Sequence, residues 1–144
     1  MQGCPACDYV RWPDPKLVTI TVAQTPRGLV FGRRGIEPGY GGWCLPGGFV
    51  NDDEHPAASA ARECREEIGA DVSIEDVIGI YHSSRPGRPG LVAIAYSARV
   101  LDPAQVIAGS EMLEVLVTPP EEAPELVFPM HREAIADWRR SRPQ

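Results

Sequence analysis

GFVNDDEHPAASAARECREEIGA, residues 48–70, carries the pattern that decides the fold. Glu63, Glu66 and Glu67 stand at i, i+3 and i+4, so a helix puts all three carboxylates on one face. A bare helix gains nothing from this. Like charges at that spacing repel, and Glu66 and Glu67 fall in the last turn before Gly69, where the helix dipole disfavours anions. A cluster that breaks two local rules at once points to a functional site, and hard divalent cations are the natural compensation.

The same stretch predicts its own boundaries. Pro56 suits the first helical turn, with His55 or a preceding Asp near the cap, and Gly69 is the stop. Ala57, Ala61, Cys64 and Ile68 share a narrow apolar stripe, expected to be the core face. Upstream, Lys16–Ala23 is rich in β-branched residues and reads as a strand, with a turn at Pro26–Gly28 and a return strand over Leu29–Arg33. Gly35–Gly42 holds four glycines and a proline and is expected to be a mobile loop, before a short strand over Trp43–Val50. Downstream, Ile74–Ser83, Gly90–Val100 and Glu111–Val117 read as strands, Ser84–Pro89 as a turn-rich connection, and Met130–Arg140 as an amphipathic helix with Ile135 and Trp138 inward. Periodicity alone gives an α/β class. Residues 1–15 read as an irregular lead-in and 16–144 as one domain.

A chain of 144 residues suits a single core, and 43% apolar with 24% charged residues is ordinary globular composition. The net charge of −6 argues against a grip on nucleic acid. Apolar runs are too short for a membrane span, and Met1–Cys4 opens no signal-like segment, so a cytoplasmic location is expected. Basic residues cluster at Arg33-Arg34, Arg85–Arg88 and Arg139–Arg142. The first two clusters can meet substrate phosphates; each is equally well a solvated loop. Trp12, Tyr40, Trp43 and Tyr81 can stack a base, although aromatics are core residues more often. His55, His82 and His131 show no ligand spacing. Cys44 and Cys64 read as small buried apolar groups. Cys4-Pro-Ala-Cys7 has zinc-knuckle spacing, but a closed zinc site needs four ligands, so a vestigial arm without metal is favoured over a zinc shared between two chains of a homodimer.

The box resembles the Nudix hydrolase signature position for position, through Gly48, Glu54, Arg62-Glu63, Cys64, Glu66-Glu67, Gly69 and Ala70. A chance match is on the order of one in ten million per chain. The resemblance implies a Nudix-type α/β/α sandwich with a mixed sheet, acting on a nucleoside diphosphate linked to another group. It implies Mg²⁺ or Mn²⁺ held by Glu63, Glu66, Glu67 and the Gly47 carbonyl, with Arg62 organising the loop and Glu54 orienting it or binding a second metal. Family members often place a water-activating base beyond the long strand, which brings in Glu111 and Glu114; three residues apart on a strand, only one is expected to reach the metals. ADP-ribose-hydrolysing members tend to carry a proline about sixteen residues after the box, where Pro86 stands here, and the SQPWPFP-like segment of NADH-hydrolysing members is missing. Members with a zinc ribbon lead into the first strand much as Cys4–Pro15 does. The alternatives are a nucleoside triphosphate pyrophosphohydrolase and a non-catalytic ligand-binding regulator; regulators usually lose box glutamates, and all are present here.

Overall fold

The structure, a computed structural model, describes residues 2–142. Two short strands, β1 (Gln2–Gly3) and β2 (Val10–Arg11), pair antiparallel as a small hairpin. The lead-in is therefore ordered where an irregular segment was expected. Its strand pairing rests on backbone hydrogen bonds that side-chain type does not announce, such as the Cys4 N–H donating to Tyr9 O at 2.8 Å.

The main sheet is mixed and has seven strands. These are β3 (Lys16–Thr25), β4 (Gly28–Arg34), β5 (Trp43–Cys44), β6 (Gly47–Phe49), β7 (Val72–Arg85), β8 (Arg88–Val100) and β9 (Met112–Thr118). The path β5-β4-β3-β8-β7 forms its body, while β6 pairs with β3 and β9 with β4. Strands β3 and β8 run parallel over Lys16–Gln24 against Leu91–Arg99. The connection between β7 and β8 is shorter than expected: both strands continue to Arg85↔Arg88, leaving Pro86-Gly87 as the turn.

Period-two alternation on β3 and β4 fills two layers. Ile20, Val22, Leu29 and Phe31 pack towards α2 (Pro129–Ser141), with Met130, Ala134, Ile135 and Trp138 opposite. Ala23 and Val30 face α1 (Pro56–Ile68) through Cys64 and Ile68. One helix per sheet face gives the α/β/α sandwich.

The start and stop of α1 match the sequence logic. His55 Nδ1 accepts the Ala57 N–H at 3.0 Å, Pro56 opens the helix, and Gly69 ends it at φ 69°. Its buried side is rotated from the expected stripe: Ala60, Cys64 and Ile68 are fully buried, whereas Ala57 and Ala61 are half-buried. Ser59 and Glu67 are also inside, so the helix lies deeper, with its acidic face turned partly under β6. The Gly35–Gly42 loop is tied down rather than free: the Gly41 N–H donates to Arg34 O, the Arg34 N–H to Gly42 O, and Arg34 Nε to Pro38 O.

Candidate active site

The site is built where β6 crosses the middle of α1. Strand β6 is fixed by pairing with β3, Gly47 opposite Ile20 and Gly48 opposite Thr19. Both glycines are required by close approach. A Cβ on Gly47 would lie 2.1 Å from the Thr19 carbonyl oxygen, and one on Gly48 would lie 2.6 Å from the Glu63 carboxyl. The backbone thus passes directly over two carboxylates of α1.

Glu67 is the innermost, 8% exposed. The Gly47 N–H donates to its Oε1 at 2.7 Å. Burial pushes this carboxyl up to about 8; the Gly47 N–H opposes the rise, and the charge of Glu63 adds to it. Glu63 is also raised by burial, against the pull of Arg62 and with the push of Glu66 and Glu111.

Arg62 organises the outer half. It grips Glu54 bidentately, Nη2 to Oε1 at 2.7 Å and Nε to Oε2 at 3.2 Å. Its Nη1 donates to Glu63 at 3.0 Å and to Glu66 at 3.2 Å, and Nη2 donates to the Phe49 carbonyl at 3.1 Å. One guanidinium therefore joins β6, the following loop and the acidic helix face. Its hydrogen bonds hold the Glu54 carboxyl down to about 2, helped by the Asn51 N–H. Arg65 adds a cation to the last turn, where the dipole favours one.

The turn before β9 closes over the end of α1. The Gly109 N–H donates to Glu67 O and the Ile107 N–H to Ile68 O, each at 2.9 Å, so carbonyls at the helix terminus gain partners. A Cβ on Gly109 would lie 1.8 Å from Glu66 O. This docking brings Glu111 near enough to raise both Glu63 and Glu67. Glu114 turns elsewhere, pairing with Arg33 at 3.0 Å.

The donor set fits a hard divalent cation. It consists of oxygens, two of its carboxyls are pushed up by burial and by repulsion from neighbouring carboxylates, and Gly48 leaves the space that a Cβ would fill. Among the described residues, no three His, Cys, Asp or Glu side chains converge as a ligand sphere. Instead Arg62 engages Glu63 and Glu66, and the Gly47 N–H engages Glu67.

The NUDIX domain profile matches residues 15–138. The chain belongs to the Nudix family. An ADP-ribose pyrophosphatase of Methanocaldococcus jannaschii is 26% identical over 133 residues, covering 92% of this chain and 78% of that one. A MutT-like protein of Streptomyces ambofaciens is 40% identical over 52 residues, 36% of this chain and 34% of that one. Among solved structures, a NUDIX hydrolase from Nitrosomonas europaea superposes with TM-score 0.81 at 27% identity, over 98% of this chain and 81% of that one. An ADP-ribose pyrophosphatase from Streptococcus suis shares the fold with TM-score 0.68 at 20% identity, over 90% of this chain and 95% of that one.

Beside the Nudix box, Gly47, Gly48 and Phe49 open onto a cleft of about 410 Å³. Its walls include Arg34, Arg85, Arg88, Phe128 and His131. Arg34 lies 5.0 Å over the Phe128 ring, and its charge is felt by Glu67. The Leu45 N–H donates to His131 Nδ1 at 3.0 Å, and burial holds this imidazole down to about 3. Arg85 thus shares a cleft with the box glycines. Arg33, Tyr40 and Pro86 do not line it: Arg33 is bound to Glu114 and Gly41 O, Tyr40 is 61% exposed, and Pro86 sits at the hairpin tip. Of the other aromatics, Tyr81 donates to Asp137 at 2.6 Å, Trp43 packs against the core and Trp12 faces solvent. Arg34 and Arg88 belong to the two basic clusters expected to meet phosphates, and both line the cleft, whereas nothing in the sequence singled out Phe128. Phe128 lies 58 residues beyond Ala70, the last residue of the box, and its local signal is the Phe128-Pro129 helix start.

Cys44 and Cys64 are buried free thiols, pushed up to about 11 and about 12 by desolvation. Cys4 and Cys7 lie in the N-terminal hairpin, the Cys4 thiol lowered by a hydrogen bond with Cys7 and by the Ala6 backbone. No helix among the described residues is long and apolar enough to cross a membrane.

Proposed function

We propose that this Nudix hydrolase cleaves the pyrophosphate bond of a nucleoside diphosphate linked to a second group, with ADP-ribose the favoured substrate, using Mg²⁺ or Mn²⁺. The observation that carries the reading is the carboxylate pair of half-buried Glu63 and buried Glu67 under the Gly47-Gly48 backbone, which itself lines the arginine-bearing cleft. Similarity to the M. jannaschii ADP-ribose pyrophosphatase across most of both chains supports the substrate choice.

Glu63, Glu66, Glu67 and the Gly47 carbonyl would hold the cation. When bound, it would neutralise charge on the diphosphate and lower the pKa of an attacking water. Arg62 keeps the carboxylates and the loop in register, acting as a positioning residue. Glu111 is the favoured acceptor of the water proton, because its charge bears on both Glu63 and Glu67, with Glu63 the alternative. Glu114, held by Arg33, is the weaker candidate. One water is consumed, and ADP-ribose yields AMP and ribose 5-phosphate.

Incubation with Mg²⁺ and a panel of ADP-ribose, dinucleotides, nucleoside diphosphate sugars and nucleoside triphosphates tests this. Release of AMP and ribose 5-phosphate as the fastest reaction supports the reading. Faster release of pyrophosphate from a triphosphate replaces it with the sanitising alternative.

A further inference from the structure

The arginines of the cleft differ from those elsewhere in the chain. Among the described residues, the ion pairs are made by Arg33, Arg62 and Arg140. Arg34, Arg85 and Arg88 line a single cleft and join none of them. In a protein of net charge −6, with 20 acidic residues against 14 basic, three unneutralised guanidiniums in one concavity form a local positive field that an anion would relieve. Two of them are steadied without being neutralised: Arg34 Nε donates to Pro38 O at 2.6 Å, and Arg85 Nε to Pro89 O at 2.8 Å. The Arg85 bond uses Nε alone, so its terminal fork faces no described protein acceptor.

The register separates these cations from the acidic helix face. Phe49 lies level with Val18, and Val18 with Ala93. Arg85 and Arg88 face each other across the hairpin, and Arg88 is five residues from Ala93, about 17 Å along the strand. Their side chains reach back far enough to line the same cleft as Gly47 and Gly48, which shortens that gap. The diphosphate itself belongs over Gly47 and Gly48, beside the carboxylates, so the outer arginines are left to meet a different group. A neutral pentose would leave them without a counter-charge.

We propose that Arg85 and Arg88, with Arg34 at the inner end, form a second anion subsite that takes a phosphomonoester carried by the substrate one sugar away from the scissile diphosphate. Two facing guanidinium forks suit the three oxygens of a phosphate dianion, and Ser83 on the same wall offers a hydroxyl. The proposal rests on the pyrophosphohydrolase reading for the identity of the inner group. It adds that, within this substrate class, a relative of ADP-ribose carrying a phosphomonoester binds more tightly than unmodified ADP-ribose.

Three probes separate the two places such a phosphate can sit: ADP-ribose, ADP-ribose 2′-phosphate with the group on the adenosine, and ADP-ribose 1″-phosphate with it on the distal ribose. Binding is measured by calorimetry with Ca²⁺ replacing Mg²⁺, and turnover is measured in parallel with Mg²⁺. One phosphorylated probe is expected to bind about tenfold more tightly than ADP-ribose or better, as charge-assisted contacts would give. The advantage is expected to collapse in Arg85→Gln/Arg88→Gln, and to shrink in Arg88→Gln alone, a change at an exposed side chain that the fold tolerates. Equal affinity for all three probes, or a preference that survives the double substitution, overturns the subsite. Cleavage of none of the probes with the arginine-dependent preference intact would instead overturn the pyrophosphohydrolase reading and leave the subsite standing.

Discussion

The Gly47 N–H donates to Glu67 Oε1 at 2.7 Å, locking the loop strand to the acidic face of α1. The two glycines of that strand serve different ends, which substitution can separate. Gly47→Ala puts a methyl 2.1 Å from the Thr19 backbone, so β6 must leave β3. It should lower stability by about 2 kcal/mol or more, read as a reduced unfolding midpoint in urea. Gly48→Ala meets only the end of the Glu63 side chain. It should unfold near the wild-type midpoint and yet lose most turnover. Equal effects of the two changes on both readouts would mean that Gly48 is not shaped around Glu63.

Much of this was legible because it is local. The acidic triplet, the Pro56 start and the Gly69 stop are fixed by helix geometry within one segment, and α1 spans Pro56–Ile68 as those signals require. The strands β3, β4, β8 and β9 declared themselves through β-branched residues and turn punctuation. What stayed hidden depends on tertiary contact. The buried side of α1 shifts to Ala60 because Glu67 is drawn under Gly47, a partner twenty residues away. The Gly35–Gly42 loop is quiet because Arg34 bonds across it, which glycine content alone does not show. The cleft gathers Arg34, Arg88 and Phe128 from three distant segments that share no motif.

Glu67 makes stability depend on pH and on the cation together. Its folded pKa near 8 lies above the ordinary 4.5, so the folded state retains a proton that the unfolded state has lost between those values. Without metal, the Glu67 contribution to stability should be full below about pH 4.5 and be lost as pH rises through 8, by at most about 1.4 kcal/mol per unit. A cation needs the carboxylate, so it competes with the proton. The rise in melting temperature on adding Mg²⁺ should be larger at pH 8 than at pH 6, and Glu67→Gln should flatten that difference. A metal-induced rise independent of pH would contradict this.

His131 should act in the opposite sense. Its pKa is held near 3 against an ordinary 6.5, because burial disfavours the charged ring and Nδ1 must stay free to accept the Leu45 N–H. Its contribution is present above pH 6.5 and is lost as pH falls towards 3. His131→Gln keeps an acceptor and removes the titration. Urea unfolding at pH 5 and pH 7 should show a smaller pH difference in this variant than in the wild type. An unchanged difference would place the acid sensitivity elsewhere.

Cys4 and Cys7 should be dispensable for turnover, since they lie in the separate β1–β2 hairpin and supply half of a zinc site. The double Cys→Ser variant is expected to keep wild-type activity and oligomeric state, and the purified protein to carry no zinc. About one zinc per chain, or one per two chains, would show instead that the knuckle is a metal site.

The acidic face itself is tested most directly by turnover of Glu66→Gln and Glu67→Gln. With Mg²⁺ and ADP-ribose, the wild type should release AMP and ribose 5-phosphate, and EDTA should stop the reaction. Each variant should be slower by about a hundredfold or more, near 3 kcal/mol of transition-state stabilisation, with an unchanged circular dichroism spectrum. Near-wild-type turnover in both variants would contradict the assignment of these carboxylates to the metal and the chemistry.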